Sequence, residues 1–143
     1  MVQGGVIAFK VIHVTNAFRN RERLRQWLHA VAADQGCHIG ELTYVLLSDK
    51  GLLPYNRQYL GHNEYTDVIT FGQDDRPGVS GDILISYDRV RDNARTFGAT
   101  AQEELHRVMV HGLLHLLGHG DKDPAKQKAM RAAEDKYLAL LKQ

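Results

Sequence analysis

Two histidines spaced by one helical turn are the residues best placed to do chemistry in this sequence. His111 and His115 lie in the stretch HGLLHLLGHGD, which runs from His111 to Asp121. On an α-helix, side chains at this spacing share a face, with Cβ atoms about 5–6 Å apart. Two such imidazoles can chelate one cation, most commonly zinc, at about 2.0–2.1 Å per nitrogen. The spacing therefore predicts part of a metal site.

A third ligand is expected from the segment that follows. Gly118 can take the left-handed conformation at the helix end and turn the chain away, so that Asp121 could fold back toward the pair. His119 is the alternative, but it shares the stripe of His115 only if the helix continues through Gly118. Asp121 is favoured. Two histidines and one carboxylate leave a fourth position open, as in catalytic rather than structural zinc sites.

The residue after the first histidine argues against a protease. Zinc proteases of the H-E-x-x-H type use that glutamate as general base, whereas here the position is Gly112. A glycine could instead let a substrate or a neighbouring strand approach closely. The leucines of the same stretch are predicted to pack the helix against a sheet: Leu113, Leu114, Leu116 and Leu117.

Composition favours one ordinary globular domain spanning residues 1–143. The chain is 43% hydrophobic and 24% charged, with a formal net charge of +1, so charge alone does not indicate a nucleic-acid-binding protein. A single cysteine, Cys37, excludes an internal disulfide and suits a reducing compartment. The N-terminal residues resemble neither a signal peptide nor a membrane span. We expect a cytoplasmic protein with no membrane partner.

The elements that must position the histidines can be read from periodicity. Strands are predicted over residues 5–15, 40–49, 66–72 and 81–88, and helices over 17–36, 89–98, 99–118 and 124–143, with 50–65 as a long and functional connection. Asn16 is a candidate cap for the first helix, Thr100 and Glu103 have capping-box spacing, and Asp123 precedes Pro124 at the start of the last helix. This order predicts an α+β domain: a small mixed β-sheet with helices packed on it, and the metal site on a helix near the C-terminus.

Three motifs, in order along the chain, carry a resemblance to a known family. HGLLHLLG matches the start of H-G-x-L-H-L-x-G-x-D-H. Residues 56–71 match N-x-x-Y-R followed by T-D-V-L-S-F, and GDILIS at residues 81–86 matches G-D-I-x-I-S. These motifs identify a resemblance to the YbeY family of bacterial endoribonucleases and rRNA maturation factors, which covers most of the chain.

Three positions differ from the family pattern. The third histidine of the family motif falls on Asp121, itself a suitable zinc ligand. His119 falls where the family commonly has an aromatic residue. The arginine that follows the tyrosine of N-x-x-Y-R, which matters for RNA cleavage in the family, is replaced by Leu60. Arg57 could substitute for it if the chain directs its side chain into the cleft.

The resemblance implies an activity and a set of partners. It implies a zinc-dependent, single-strand-specific endoribonuclease that matures the 3′ end of small-subunit rRNA and acts in ribosome quality control, with one Zn²⁺ per chain. The implied partners are rRNA, the pre-30S particle, a small-subunit ribosomal protein and an assembly GTPase, and no DNA is expected. The metal would be held by His111, His115 and Asp121.

Candidate RNA contacts come from the segment that carries the second motif. Arg57, Tyr59 and His62 are the expected RNA-binding residues, because segments beside a metal cleft are natural substrate walls. Arg57 and His62 are also the candidate catalytic side chains. Asp67 could line the cleft or cap a strand, and Asp82 could accept a hydrogen bond from a ligand imidazole or lie on an edge strand.

Three classes of function remain open from sequence. The first is the RNA-processing metalloenzyme. The second is a zinc hydrolase of another substrate class, which Gly112 disfavours. The third is a non-catalytic ribosome-assembly factor stabilised by its metal, which Leu60 favours.

Overall fold

The strands of the protein form one four-stranded sheet, and helices pack on both of its faces. The computed structural model describes residues 5–61 and 64–142. Over these residues the elements are β1 (Val6–Val11), α1 (Arg21–Asp34), β2 (Ile39–Leu47), α2 (Asp49–Leu60), β3 (Val68–Gly72), β4 (Val79–Ser86), α3 (Tyr87–Phe97), α4 (Ala101–Leu116) and α5 (Pro124–Leu141). Within that part of the chain, no helix is long and apolar enough to cross a membrane.

The sheet is mixed, with strand order β1-β2-β4-β3. β2 runs parallel to both β1 and β4, and β3 pairs antiparallel with β4. This confirms the predicted α+β class. β4 lies inside the sheet rather than at its edge, so the option of Asp82 as an edge-strand residue is wrong.

Alternation along the strands divides the core between the two faces of the sheet. On one face, Tyr44 and Ile83 are fully buried against α4. The Tyr44 hydroxyl donates a hydrogen bond of 2.9 Å to the carbonyl of Met109, which ties α4 to the centre of the sheet. On the other face, Leu52 of α2 joins a smaller cluster with Leu47, Ile69 and Leu84.

Two of the three predicted helix starts are confirmed. Thr100 and Glu103 form a complete capping box, and the Asp123 side chain accepts a hydrogen bond from the Lys126 amide at the start of α5. The predicted cap Asn16 is wrong: Asn20, in the left-handed region at φ 51°, caps α1 by accepting from the Arg23 amide.

The predicted long connection over residues 50–65 is mostly a helix, α2. Pro54 lies inside it and removes one internal donor. The helix nevertheless forms because Ser48 caps its start, the side chains of Leu52 and Asn56 are buried, and Gly61 ends it in the left-handed conformation. Packing on the sheet overrides the unfavourable local composition.

Gly112 allows α4 to approach the sheet closely. A Cβ atom at this position would lie 2.8 Å from Cγ2 of Ile83, a side chain that is fully buried on β4. The glycine therefore accommodates a neighbouring strand, one of the two explanations that its place in the sequence suggested.

We predict that Gly112→Ala lowers the free energy of unfolding by about 1–2 kcal/mol, because overpacking against Ile83 outweighs the gain in helix propensity. Denaturant unfolding measures the change. A double-mutant cycle with Ile83→Ala supplies the control, since the cost of the added methyl group should fall when Ile83 is truncated. An equal cost in both backgrounds would contradict the proposed contact.

Candidate metal centre

A sharp turn after α4 brings a carboxylate back to the histidine-bearing face. α4 ends at Leu116, and Gly118 has φ 101°, a conformation that favours glycine. The amides of Gly118 and His119 donate to the carbonyls of His115 and Leu114, both at 3.0 Å. This hydrogen-bonded turn reverses the chain and places Asp121 opposite the two histidines, as its spacing predicted.

The three predicted ligands form one cluster. The candidate donor atoms of His111, His115 and Asp121 all lie within 4.8 Å of one another. Oδ2 of Asp121 is 3.4 Å from Nε2 of His111 and 3.3 Å from Nε2 of His115. The two imidazole rings are close to perpendicular, with centroids 4.6 Å apart. Both ring nitrogens therefore face a single carboxylate oxygen.

These separations suit a tetrahedral metal ion. Ligands at about 2.0–2.1 Å from a tetrahedral ion lie about 3.3 Å from each other, which agrees with the nitrogen–oxygen distances of 3.3 and 3.4 Å. Two imidazoles and one carboxylate are also a donor set that zinc accepts. All three side chains are partly exposed, so the cluster is accessible from solvent. The residues fit a bound metal ion.

His119, the alternative third ligand, is held elsewhere. Its Nε2 lies 2.7 Å from Oε1 of Gln35, and the Gln35 amide donates to the Tyr137 hydroxyl at 2.6 Å. These bonds connect the turn after α4 to α1 and α5. Among the described residues, His119 is not part of the candidate metal cluster.

Glu134 of α5 orients the first histidine, a role that our sequence reasoning missed. Its Oε2 lies 2.6 Å from Nδ1 of His111, and its Oε1 accepts a hydrogen bond of 2.9 Å from Arg107. Nδ1 of His111 therefore carries the proton toward the carboxylate, and Nε2 is left to face the cluster. The available signal was helical spacing: Glu134 falls on the same buried face as Met130 and Tyr137.

Burial and charge act in opposite directions on His111. Burial lowers its pKa, but the hydrogen bond and charge of Glu134, with the charges of Asp67 and Asp121, outweigh burial, so the pKa is raised. Metal binding requires the deprotonated Nε2. The metal must therefore displace a proton that the surrounding carboxylates help to retain.

Asp67 fulfils both roles that its position suggested. It lines a cleft of about 380 Å³ together with His111, Asp121 and Glu134. Burial raises its pKa, while the charge of His111 and hydrogen bonds from the backbone amides of Asp67 and Val68 oppose that shift. Asp67 thus lies at the start of β3 and also faces the candidate metal centre.

The structure does not place the other candidate residues in the metal cluster. Arg57 and Tyr59 lie on α2, which packs on the sheet face opposite α4, and His62 falls outside the described residues. Asp82 lines a groove on the α2 side, so it is not the partner of a ligand imidazole; Glu134 has that role. Contact of Arg57, Tyr59 and His62 with RNA stays a prediction.

The fold and the site define an α+β protein with a helix-borne histidine–histidine–aspartate cluster in an acidic cleft. A family model described as Endoribonuclease YbeY matches residues 9–142. The chain belongs to this family, which confirms the resemblance drawn from the three motifs.

Individual relatives agree with the family assignment. Endoribonuclease YbeY of Bacteroides thetaiotaomicron is 48% identical over 115 residues, covering 80% of this chain and 84% of the relative. The enzyme of the same name from Cytophaga hutchinsonii is 47% identical over 125 residues, covering 87% of each chain. The solution structure of TM1509 from Thermotoga maritima is similar with a TM-score of 0.66 and 28% identity, covering 95% of this chain and 89% of that one.

We predict that Asp121→Ala weakens zinc binding far more than His119→Ala does. Asp121 presents an oxygen to both ligand nitrogens, whereas His119 is bonded to Gln35. Competition titration against a zinc chelator compares the variants, with thermal unfolding as the check on folding. A larger loss for His119→Ala would show that the third ligand is misassigned.

We predict that Glu134→Gln weakens zinc binding at neutral pH by about 10- to 100-fold, as expected for loss of a partner that orients a ligand. Zinc affinity should fall as the pH is lowered through the raised pKa of His111. Because the substitution removes the charge that helps to raise that pKa, the fall should move to lower pH.

Chelator competition across a pH series measures both effects. Asp135→Asn is the matched control, because Asp135 pairs with Arg107 but is largely exposed. If zinc affinity depends on pH in the same way in Glu134→Gln as in wild type, Glu134 does not act on His111.

Proposed function

We propose that this protein is a zinc-dependent, single-strand-specific endoribonuclease that matures the 3′ end of small-subunit rRNA and takes part in ribosome quality control. The observation that carries the proposal is the His111–His115–Asp121 cluster in a chain of the YbeY family. The relatives described above carry the name Endoribonuclease YbeY. The distances within the cluster support metal binding by the same residues.

The side chains of the site have separate tasks in this proposal. His111 and His115 supply neutral nitrogens, Asp121 supplies negative charge, and Glu134 fixes the orientation of His111. A bound zinc ion would supply a Lewis acid that stabilises negative charge on a scissile phosphate. Asp67, whose pKa burial raises and on which the charge of the ligand His111 acts, is our candidate for proton exchange with the substrate.

The RNA contacts are proposed from the segment that leads into the cleft. α2 ends at Leu60, and Asp67 of the cleft follows only a few residues later. Arg57, Tyr59 and His62 belong to this stretch and are our candidates for contact with RNA. Arg57 and His62 are the candidate catalytic groups, with Arg57 as the cation that substitutes for the family arginine.

The biological setting is proposed from what the resemblance to the family implies. We propose the cytoplasm as the location, and rRNA in the pre-30S particle as the substrate. A small-subunit ribosomal protein and an assembly GTPase are proposed as further partners. Cys37 is a free, exposed thiol, which suits a reducing compartment.

One observation favours a second function. Leu60 replaces the arginine that the family motif has next to its tyrosine, and its side chain is half exposed. A non-catalytic assembly factor stabilised by its metal would tolerate this loss. A peptidase is disfavoured, because Gly112 is buried against Ile83 and provides no acid–base group.

We predict slow, metal-dependent cutting of single-stranded RNA by the wild-type protein, with no peptidase activity. His115→Ala should abolish the cutting, because the cluster loses one nitrogen ligand. His119→Ala is the matched control, since it removes a histidine outside the cluster. Leu60→Arg should raise the rate by restoring a cation near the phosphate. Gel analysis of labelled rRNA fragments measures all four proteins.

The outcomes separate the candidate functions. Intact RNA with every variant, even in the presence of pre-30S particles, would favour the assembly factor. Equal cutting by wild type and His115→Ala would assign the activity to a contaminant or to another site.

A further inference from the structure

A groove on the α2 side of the sheet is not used by the candidate metal centre. Its volume is about 410 Å³. Lys10, Thr43 and Asp82 contribute to the floor from β1, β2 and β4, and Tyr55 and Tyr59 of α2 line one side. Phe71 of β3 is part of the same lining, which also includes the aliphatic side chains of Ile12, Val45, Leu47 and Leu84.

The aromatic rings of this groove are open to solvent although they contact one another. Tyr59 is 56% exposed and Tyr55 is 39% exposed. Their rings lie one helical turn apart and are nearly parallel, at 17° with centroids 6.4 Å apart. The Tyr59 ring packs edge to face against Phe71 of β3, with centroids 5.1 Å apart, and this contact holds the tyrosine ring in place. The groove thus presents two oriented aromatic faces rather than a closed apolar core.

The floor of the groove indicates what could lie on these rings. An ammonium, a hydroxyl and a carboxylate, from Lys10, Thr43 and Asp82, offer both hydrogen-bond donors and acceptors. Such a mixture suits the edge of a nucleobase. The aliphatic side chains of the lining would also accept an apolar protein segment, but such a segment would desolvate Lys10 and Asp82 without replacing their hydrogen bonds. One cation and one anion also make this floor unlike a phosphate-binding surface.

The groove and the metal centre flank the same edge strand. Phe71 faces the groove, whereas the preceding Thr70 pairs with Ile83, which packs against α4 on the other face. β3 is at the edge of the sheet, and α4 packs against it. A single strand of RNA that crosses this edge would contact the groove on one side and the metal cluster on the other.

We infer that this groove binds the bases of single-stranded RNA by stacking them on Tyr55 and Tyr59, with Phe71 as support. The inference rests on the proposed function, since it assumes that RNA is the substrate. It adds a base-binding surface on the sheet face opposite the metal ligands. Stacking of this kind is tolerant of sequence, because every base has an aromatic face.

The experiment measures binding rather than cutting. Fluorescence anisotropy compares a short labelled oligouridylate with a ribose-phosphate strand of equal length that lacks bases, and a gel confirms that the strands stay intact. Tyr55→Leu and Tyr59→Leu should each weaken binding of the oligouridylate by about 5- to 100-fold. Tyr59→Phe should bind like wild type, because it keeps the ring. Binding of the base-free strand should be the same for all variants.

Two controls keep the result specific. Leu140→Ala alters an exposed apolar side chain on α5 and should leave binding unchanged. Zinc content and thermal stability should match wild type in every variant, since both tyrosines are substantially exposed.

Several results would overturn the inference. One is that wild type and Tyr59→Leu bind the oligouridylate equally. Another is that Tyr59→Leu loses affinity for the base-free strand to the same extent as for the oligouridylate. A third is that Tyr59→Leu and Tyr59→Phe have the same affinity for the oligouridylate, since the aromatic ring would then be unnecessary. If the wild type sediments as a dimer and Tyr59→Leu sediments as a monomer, the groove is instead an interface between two copies of the chain. If the tyrosines are required for binding but no RNA is cut, the base-binding surface stands and the proposed nuclease activity fails.

Discussion

The buried carboxylate of Glu134 is the constraint on which the candidate site depends. A carboxylate that is only 4% exposed is costly to desolvate, and it is stable only if its oxygens are paired. Arg107 pairs with one oxygen and Nδ1 of His111 with the other. The same contacts join α5 to α4, so the orientation of the first ligand is coupled to the packing of the last helix. Removing this carboxylate would disturb the metal centre and the helix interface together.

The second requirement is a rigid position for α4 on the sheet. Gly112 brings the helix close to Ile83, and the Tyr44 hydroxyl holds the carbonyl of Met109 from the sheet below. Both contacts lie within three residues of His111. Because two of the ligand side chains project from a helix fixed in this way, the position of the third donor depends on the turn at Gly118 and on the hydrogen bond that His119 makes with Gln35. A pre-formed arrangement of this kind lowers the cost of ordering ligands when a metal binds.

Local features were predictable from the sequence, and long-range ones were not. The helical spacing of the histidines, the glycine turn before Asp121 and the capping box of α4 each depend on neighbours a few residues away. The helix over residues 49–60 was missed because Pro54 argues against it locally, and only its packing on the sheet reverses that argument. Glu134 lies 23 residues from His111, so their pairing depends on how α5 returns over α4. Asp82 was misplaced because the order of strands in the sheet is not encoded in any one of them.

The charge balance of the chain limits how it could hold RNA. Proteins that bind nucleic acids mainly through phosphates carry an excess of cations, and their affinity falls steeply with salt. A formal net charge of +1 does not provide that excess, and neither does a cleft in which four carboxylates outnumber Arg107 and Arg131. If RNA binds at this cleft as proposed, a bound metal ion would offset the repulsion between these carboxylates and the RNA backbone near the site, and contacts that do not depend on phosphate charge would be needed elsewhere. Exposed aromatic rings on the opposite face of the sheet are contacts of that second kind. In the base-stacking inference, the metal centre on one face of the sheet and the groove on the other face would supply these two kinds of contact, with β3 as the edge strand between them.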